Sequence, residues 1–122
     1  MAYGLRHPWK FAFDKPGNRL VIGEVGQSRR DMILVVNLNG ELPVNFWWPC
    51  YEGTRSNADY DECSNASPSP VFMEFENVGG GYVIGGDIYR KAGSKYNGFY
   101  VFMVVHYPNR TGTFMAVNLD TG

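Results

Sequence analysis

The chain has 122 residues, enough for one ordinary domain, and its formal net charge is -1. Its longest basic runs are the pairs Arg29-Arg30 and Arg90-Lys91, which leaves no electrostatic footprint for nucleic acid. No apolar run approaches the ~18 residues a membrane helix needs. Aromatic residues make up 16% of the chain, with 15 glycines and 7 prolines, a mixture that favours short strands and many turns over helices.

The first element is Trp9-Lys10-Phe11-Ala12-Phe13, which alternates aromatic with smaller or polar residues as a half-buried strand does. Asp14-Lys15-Pro16-Gly17-Asn18 reads as a turn, because proline presets φ and Gly and Asn accept positive φ. Residues 19–25 return as a second strand. Residues 31–38 form a third: Ile33-Leu34-Val35-Val36 is a continuous apolar run, and its β-branching and the following Asn39-Gly40 turn favour strand over helix. Residues 53–70 read as loop, with Ser, Asn, Asp, Pro68 and Pro70 and no hydrophobic period.

Strands resume at about 71–75, 81–89, 99–106 and 113–119. Gly79-Gly80-Gly81 and Gly85-Gly86 interrupt this region, where glycines mark bulges or close backbone approach. Two loose copies of a strand, a glycine-containing turn and a strand span 9–38 and 81–119. The pattern is all-β, and periodicity alone fits a propeller, a sandwich or a barrel.

Three glycine-punctuated phrases narrow the choice: Tyr3-Gly4-Leu5-Arg6-His7-Pro8-Trp9, Gly23-Glu24-Val25-Gly26-Gln27 and Trp48-Pro49-Cys50-Tyr51-Glu52-Gly53. In this order and at these intervals the chain resembles the glucose/sorbosone dehydrogenase family, whose eukaryotic branch includes hedgehog-interacting-protein-like proteins. The likeness extends to Gly85-Gly86-Asp87-Ile88-Tyr89-Arg90, similar to a Gly-Gly-x-Val-Tyr-Arg strand, and to Asn97-Gly98-Phe99-Tyr100-Val101-Phe102, similar to the strand after it. It implies a six-bladed β-propeller of antiparallel four-stranded blades. At roughly 40–45 residues per blade, residues 1–122 hold about two blades and no closed ring. The first phrase begins at Tyr3, and no charged segment and apolar core follows Met1. The chain is therefore expected to be part of a longer, secreted propeller whose isolated piece does not turn over.

The resemblance also implies a site. In the family the Arg of a Gly-x-Arg-Asn phrase contacts pyrroloquinoline quinone (PQQ) and sugar, and the Asn contacts the cofactor. Arg6 matches the Arg, and His7 stands in place of the Asn. A guanidinium offers a planar fork to carboxylate or quinone oxygens, whereas histidine donates with a different reach and a titrating charge. Arg6 is equally suited to capping backbone carbonyls between blades, and His7 to packing. Gly26-Gln27 matches a pair whose backbone carbonyls bind calcium in quinone-binding members; backbone oxygens suit this hard cation, and a plain hairpin turn is the other reading. Arg110, ahead of Thr111-Gly112, falls near a loop where some members place a basic cofactor contact.

Departures from the family are also visible. Asp31-Met32-Ile33 keeps one acid of an expected pair, and Trp47 stands where Asn-Tyr-Gly-Trp-Pro has glycine. The family's catalytic base is a histidine of an earlier blade, and neither His7 nor His106 aligns with it. The implied activity is oxidation of a sugar or polyol by hydride transfer to PQQ with calcium. The alternative is a non-catalytic extracellular propeller that binds a protein or glycan.

Four further features stand apart from the cofactor. Cys50 and Cys63 are the only cysteines, and a disulfide between them would close the polar loop at about 50–63, stabilise by roughly 3 kcal/mol and fit an oxidising compartment. Asn65-Ala66-Ser67 and Asn109-Arg110-Thr111 are N-glycosylation triplets, and a glycan on Asn109 would crowd Arg110. Asp59-Tyr60-Asp61-Glu62 reads as a solvated acidic loop or a calcium-binding one. Trp47-Trp48 reads as packing or as a surface for a sugar face.

Overall fold

The computed structural model describes residues 1–57, 60–77 and 80–122. Strands follow the chain as β1 (Ala2–Tyr3), β2 (Pro8–Asp14), β3 (Arg19–Glu24), β4 (Arg30–Asn37), β5 (Val44–Asn45), β6 (Tyr51–Glu52), β7 (Arg55–Ser56), β8 (Met73–Glu76), β9 (Tyr82–Tyr89), β10 (Phe99–His106) and β11 (Thr111–Asn118). The helix among the described residues is a single 3-10 turn, Asp61–Cys63. None is long and apolar enough to cross a membrane.

The protein is all-β, and its two main sheets are antiparallel meanders. The first runs β2-β3-β4-β8 and the second β9-β10-β11. Local chemistry builds the hairpins. Residues 15–18 turn with Asn18 at φ 48°, and the Asn18 N–H donates to Lys15 O at 3.2 Å. β3 then pairs with β2 from Asp14↔Arg19 onward. The turn after β4 does not make a hairpin. β4 instead takes β8, with Ile33 opposite Met73, after a long excursion.

Sheet pairing departs from the sequence reading in three places. The second meander has three strands, not four. A short parallel ladder joins β1 to β5, because residues 2–3 and 44–45 run in the same direction over one face of the first sheet. The stretch 53–70 is not all loop: β6 and β7 form a small hairpin, and the 3-10 turn follows. Local hydrogen bonding in a polar segment leaves no hydrophobic period to read. Ala58, Asp59, Val78 and Gly79 fall outside the described residues, so the acidic run 59–62 and the triple glycine are described only in part.

The sheets pack face to face. Val21 and Ile33 meet Val83, Tyr100, Phe102 and Leu119 in one buried cluster. On the other face of the first sheet, Ile22, Met32, Leu34 and Val36 lie under Phe46, with Ala2, Leu5 and Val44 packed against them. β4 is therefore covered on both faces, which accounts for its unbroken apolar run. In β2 the buried side is Ala12 and Asp14, and the aromatic side, Phe11 and Phe13, is exposed.

Two glycines set how closely the sheets approach. A Cβ on Gly23 would stand 2.6 Å from Gly85 Cα, so side chains at this crossing are excluded. Opposite Phe102 the β9–β10 register slips at Gly85-Gly86, and the freed Gly86 N–H donates to the buried Tyr100 hydroxyl at 2.7 Å. The glycine pair thus provides both a bulge and a close approach.

Candidate functional site

The site lies where β2 and β9 begin. Residues 4–7 lead into β2, and Gly4 starts them at φ 67°, where an added Cβ would meet the Trp47 amide at 2.7 Å. The N–H of Trp48 donates to Gly4 O at 2.8 Å and that of Phe46 to Tyr3 O at 2.9 Å, holding the 46–48 segment beside the N-terminal phrase. The Arg6 guanidinium therefore lies 5.5 Å from the Trp48 ring centroid, a cation–π placement.

Three fully buried carboxylates hold the backbone around this point. Glu24 Oε1 accepts the Arg6 N–H at 2.5 Å and the His7 N–H at 3.0 Å. Asp31 Oδ1 accepts the Gly26 N–H at 3.0 Å and the Asn77 side-chain amide at 3.3 Å. Glu52 Oε2 accepts from the amides of Ser28, Arg29 and Arg30 at 3.3, 2.9 and 3.2 Å. Glu24 thus fixes part of the first phrase, Asp31 the end of the second, and Glu52 the three residues that follow it. Glu52 reaches its place from the disulfide loop: Cys50 and Cys63 are bonded with Cα atoms 5.4 Å apart, and Asn57 in that loop donates to Pro49 O at 3.0 Å and Glu52 Oε1 at 3.4 Å. Gly26 must be glycine, since a Cβ there would run into the Arg30 backbone carbonyl and also lie 2.7 Å from Glu52 Oε2.

Burial raises the Glu24 pKa against the two N–H bonds it accepts. Burial also raises Asp31, to about 6, against the Gly26 and Asn77 bonds. For Glu52 burial acts the same way, but the three amide bonds outweigh it and its pKa is lowered.

A groove of about 540 Å³ opens beside this frame, lined by Arg6, His7, Trp9, Gly26, Gln27 and Tyr82 among others. The His7 and Trp9 rings stack with centroids 5.5 Å apart. Arg6, His7, Gly26 and Gln27, drawn from two separate phrases, therefore share one groove. Arg110 does not join them: it lies in a turn at φ 51° and lines a different hollow with Tyr107 and Gly112, and Tyr82 borders both. Asn65 and Asn109 are both exposed, in turns.

The chemistry of the donor set separates the two cofactors that the resemblance implies. Exposed aromatic rings beside a guanidinium suit a planar anionic molecule. Calcium fits less well. Arg6 Nη1 already donates to Gly26 O at 2.9 Å and reaches Val25 O at 3.4 Å, so a metal on the Gly26 carbonyl would face a like charge. Among the described residues, no three His, Cys, Asp or Glu side chains are grouped to hold a metal ion.

No family model, curated protein or solved structure matches the chain.

Sequence reasoning missed the roles of Glu24, Asp31 and Glu52. Their signal was an acid in or just after the second glycine phrase and one in the third, but an acid in such a phrase reads as solvent-exposed until the fold buries it.

Proposed function

We propose that the chain forms two blades of a six-bladed β-propeller of the glucose/sorbosone dehydrogenase type, and that the Arg6 groove is one wall of the parent protein's cofactor and sugar site. The observation that carries this reading is the convergence of Arg6, His7, Gly26 and Gln27 on one groove through Glu24. Two meanders stacked face to face, with Gly85 of β9 against Gly23 of β3 and against the Trp9–Lys10 backbone of β2, agree with adjacent blades. The disulfide agrees with a secreted parent.

PQQ, when bound, would accept hydride from a sugar or polyol. Arg6 would hold its oxygens, and the stacked His7–Trp9 pair would line one side of the groove and exclude water. The proton acceptor would come from another blade. Calcium on Gly26 and Gln27 is the part of the reading that the Arg6–Gly26 bond opposes, and no step here runs through it.

That same bond favours a second reading, a non-catalytic extracellular propeller that binds a protein or glycan, because Arg6 is already engaged by backbone carbonyls and by Trp48.

Calorimetric titration of PQQ into the full-length parent, with and without calcium, tests the choice, with Arg6→Ala beside it. Saturable binding lost in the variant supports the dehydrogenase reading. No binding by a folded parent supports the recognition propeller.

A further inference from the structure

Glu24 is 2% exposed. Its Oε1 takes two backbone N–H groups, yet its Oε2 is buried with no hydrogen-bond partner among the described residues. An ionised oxygen in that state is costly unless something donates to it. Glu24 lines a small cavity of about 10 Å³ behind Arg6, and Glu52, Ser69 and Trp48 line the same space. That volume admits one water-sized sphere; Met32, Leu34, Phe46 and Val71 also line it, so the polar partners a water needs come from the charged groups Glu24 and Arg6. The charged groups facing Glu24 are Arg6, which favours its ionised form, and Asp31, which opposes it. Glu52 faces the cavity with its Oε2 already taking three amides.

We propose that this cavity is a binding site for a single water molecule, which donates to Glu24 Oε2 and accepts from the Arg6 guanidinium. Glu24 is then the positioning residue of the Arg6–His7 pair. Through Oε1 it fixes the backbone of both residues, and through the water it fixes the guanidinium of one. The guanidinium is held from three sides, by the water, the Gly26 carbonyl and the Trp48 ring, and enters the groove with one orientation. This deepens the reading of the Arg6 groove and rests on it only for what Arg6 then binds.

A crystal structure of the chain at about 1.6 Å decides the water without any cofactor. The expected result is one peak within about 3.2 Å of both Glu24 Oε2 and an Arg6 nitrogen. An empty cavity, a direct Glu24–Arg6 bond, or a peak with contacts of about 2.3–2.6 Å and the anomalous signal of calcium would each overturn it. Nitrogen-15 NMR supplies the positioning readout. In the wild type the Arg6 Nε–H resonance is expected to be sharp and slow to exchange. In Glu24→Gln, whose Oε1 still accepts the two backbone bonds, it is expected to broaden while the Arg6 and His7 backbone amides stay in place. An unchanged Arg6 signal in a folded variant defeats the positioning role, and if the variant does not fold, the wild-type crystal still decides the water. PQQ titrated into the parent carrying Glu24→Gln is expected to bind about tenfold more weakly. Failure of PQQ to bind the wild-type parent sinks the functional reading and leaves the water to the crystal.

Discussion

Asp14 and Arg90 are 76 positions apart in the chain and close the far end of the seam between the two sheets. Arg90 grips the fully buried Asp14 carboxylate with Nε at 2.9 Å and Nη2 at 2.6 Å. Arg19 joins from the first sheet at 2.6 Å, and Asp120 bridges both guanidinium groups at 2.5 and 3.0 Å. The groove lies at one end of β2 and β9 and this clamp at the other, with the two glycines between them.

Breaking the clamp at its buried member is expected to be costly. Asp14→Ala leaves two arginines facing each other with a single, half-exposed counter-ion, and we expect a loss of about 3 kcal/mol, read by urea denaturation. A loss below about 1 kcal/mol would mean that the cluster is a solvated surface network. The Arg90 bonds hold the Asp14 pKa below its ordinary value, and the Arg90 and Arg19 bonds lower Asp120 to about 2. Both contributions are present above pH 3.8 and are lost as the pH falls toward 2, so the melting temperature is expected to drop over that interval.

Asp31 acts in the opposite direction. Its pKa is raised from 3.8 to about 6 by burial, so its contribution is most favourable below pH 3.8 and is lost as the pH rises through 6. The displacement corresponds to roughly 3 kcal/mol. Asp31→Asn keeps an oxygen for the Gly26 amide and removes the titration. Melting curves of the two proteins are expected to diverge between pH 4 and 6.5, with the variant ahead at pH 7. Parallel curves would show that Asp31 is not buried as an acid.

Gly85→Ala places a methyl group against the Lys10 carbonyl and against Trp9 O at 2.9 Å. Backbone atoms cannot rotate aside, so the sheets must separate. A loss of roughly 1–3 kcal/mol is expected, together with changed amide shifts for Trp9 and Tyr82 at the groove. A neutral substitution would contradict the tight crossing.

The disulfide loop is expected to serve the site as well as stability. Reducing Cys50–Cys63 opens a loop with a sequence separation of 13 and is expected to cost roughly 3 kcal/mol. It also loosens Glu52, so the amides of Ser28, Arg29 and Arg30 are expected to exchange faster by hydrogen exchange than those of β10. Uniform loss of protection would show that the loop has no specific hold on 28–30.

Much of the strand order was legible because its causes are local. The Pro16-Gly17-Asn18 turn, the β-branched run at 33–36 and the glycine pair at 85–86 announce their structures within a few residues. The disulfide was legible because only one pairing of two cysteines exists. Other features had no local signature. β2 shows its alternation plainly, yet nothing in Trp9-Lys10-Phe11-Ala12-Phe13 reveals that the aromatic side stays outside and that Ala12 and Asp14 face the second sheet. The parallel β1–β5 ladder and the β6–β7 hairpin are too short to leave a period.

The sequence by itself determined that this is an all-β protein with strand-turn-strand units at 9–38 and 81–119 either side of a cysteine-bearing polar loop, since side-chain alternation and turn geometry act over a few residues. Only the tertiary structure decided that Glu24, Asp31 and Glu52 are buried, that Glu24 and Asp31 hold segments of the groove and Glu52 the residues just after Gln27, and that Arg6 rests on the Gly26 carbonyl. Those roles depend on bonds between residues 5 to 46 positions apart, and a carboxylate's meaning changes from solvent-facing charge to backbone anchor once the fold removes the water around it.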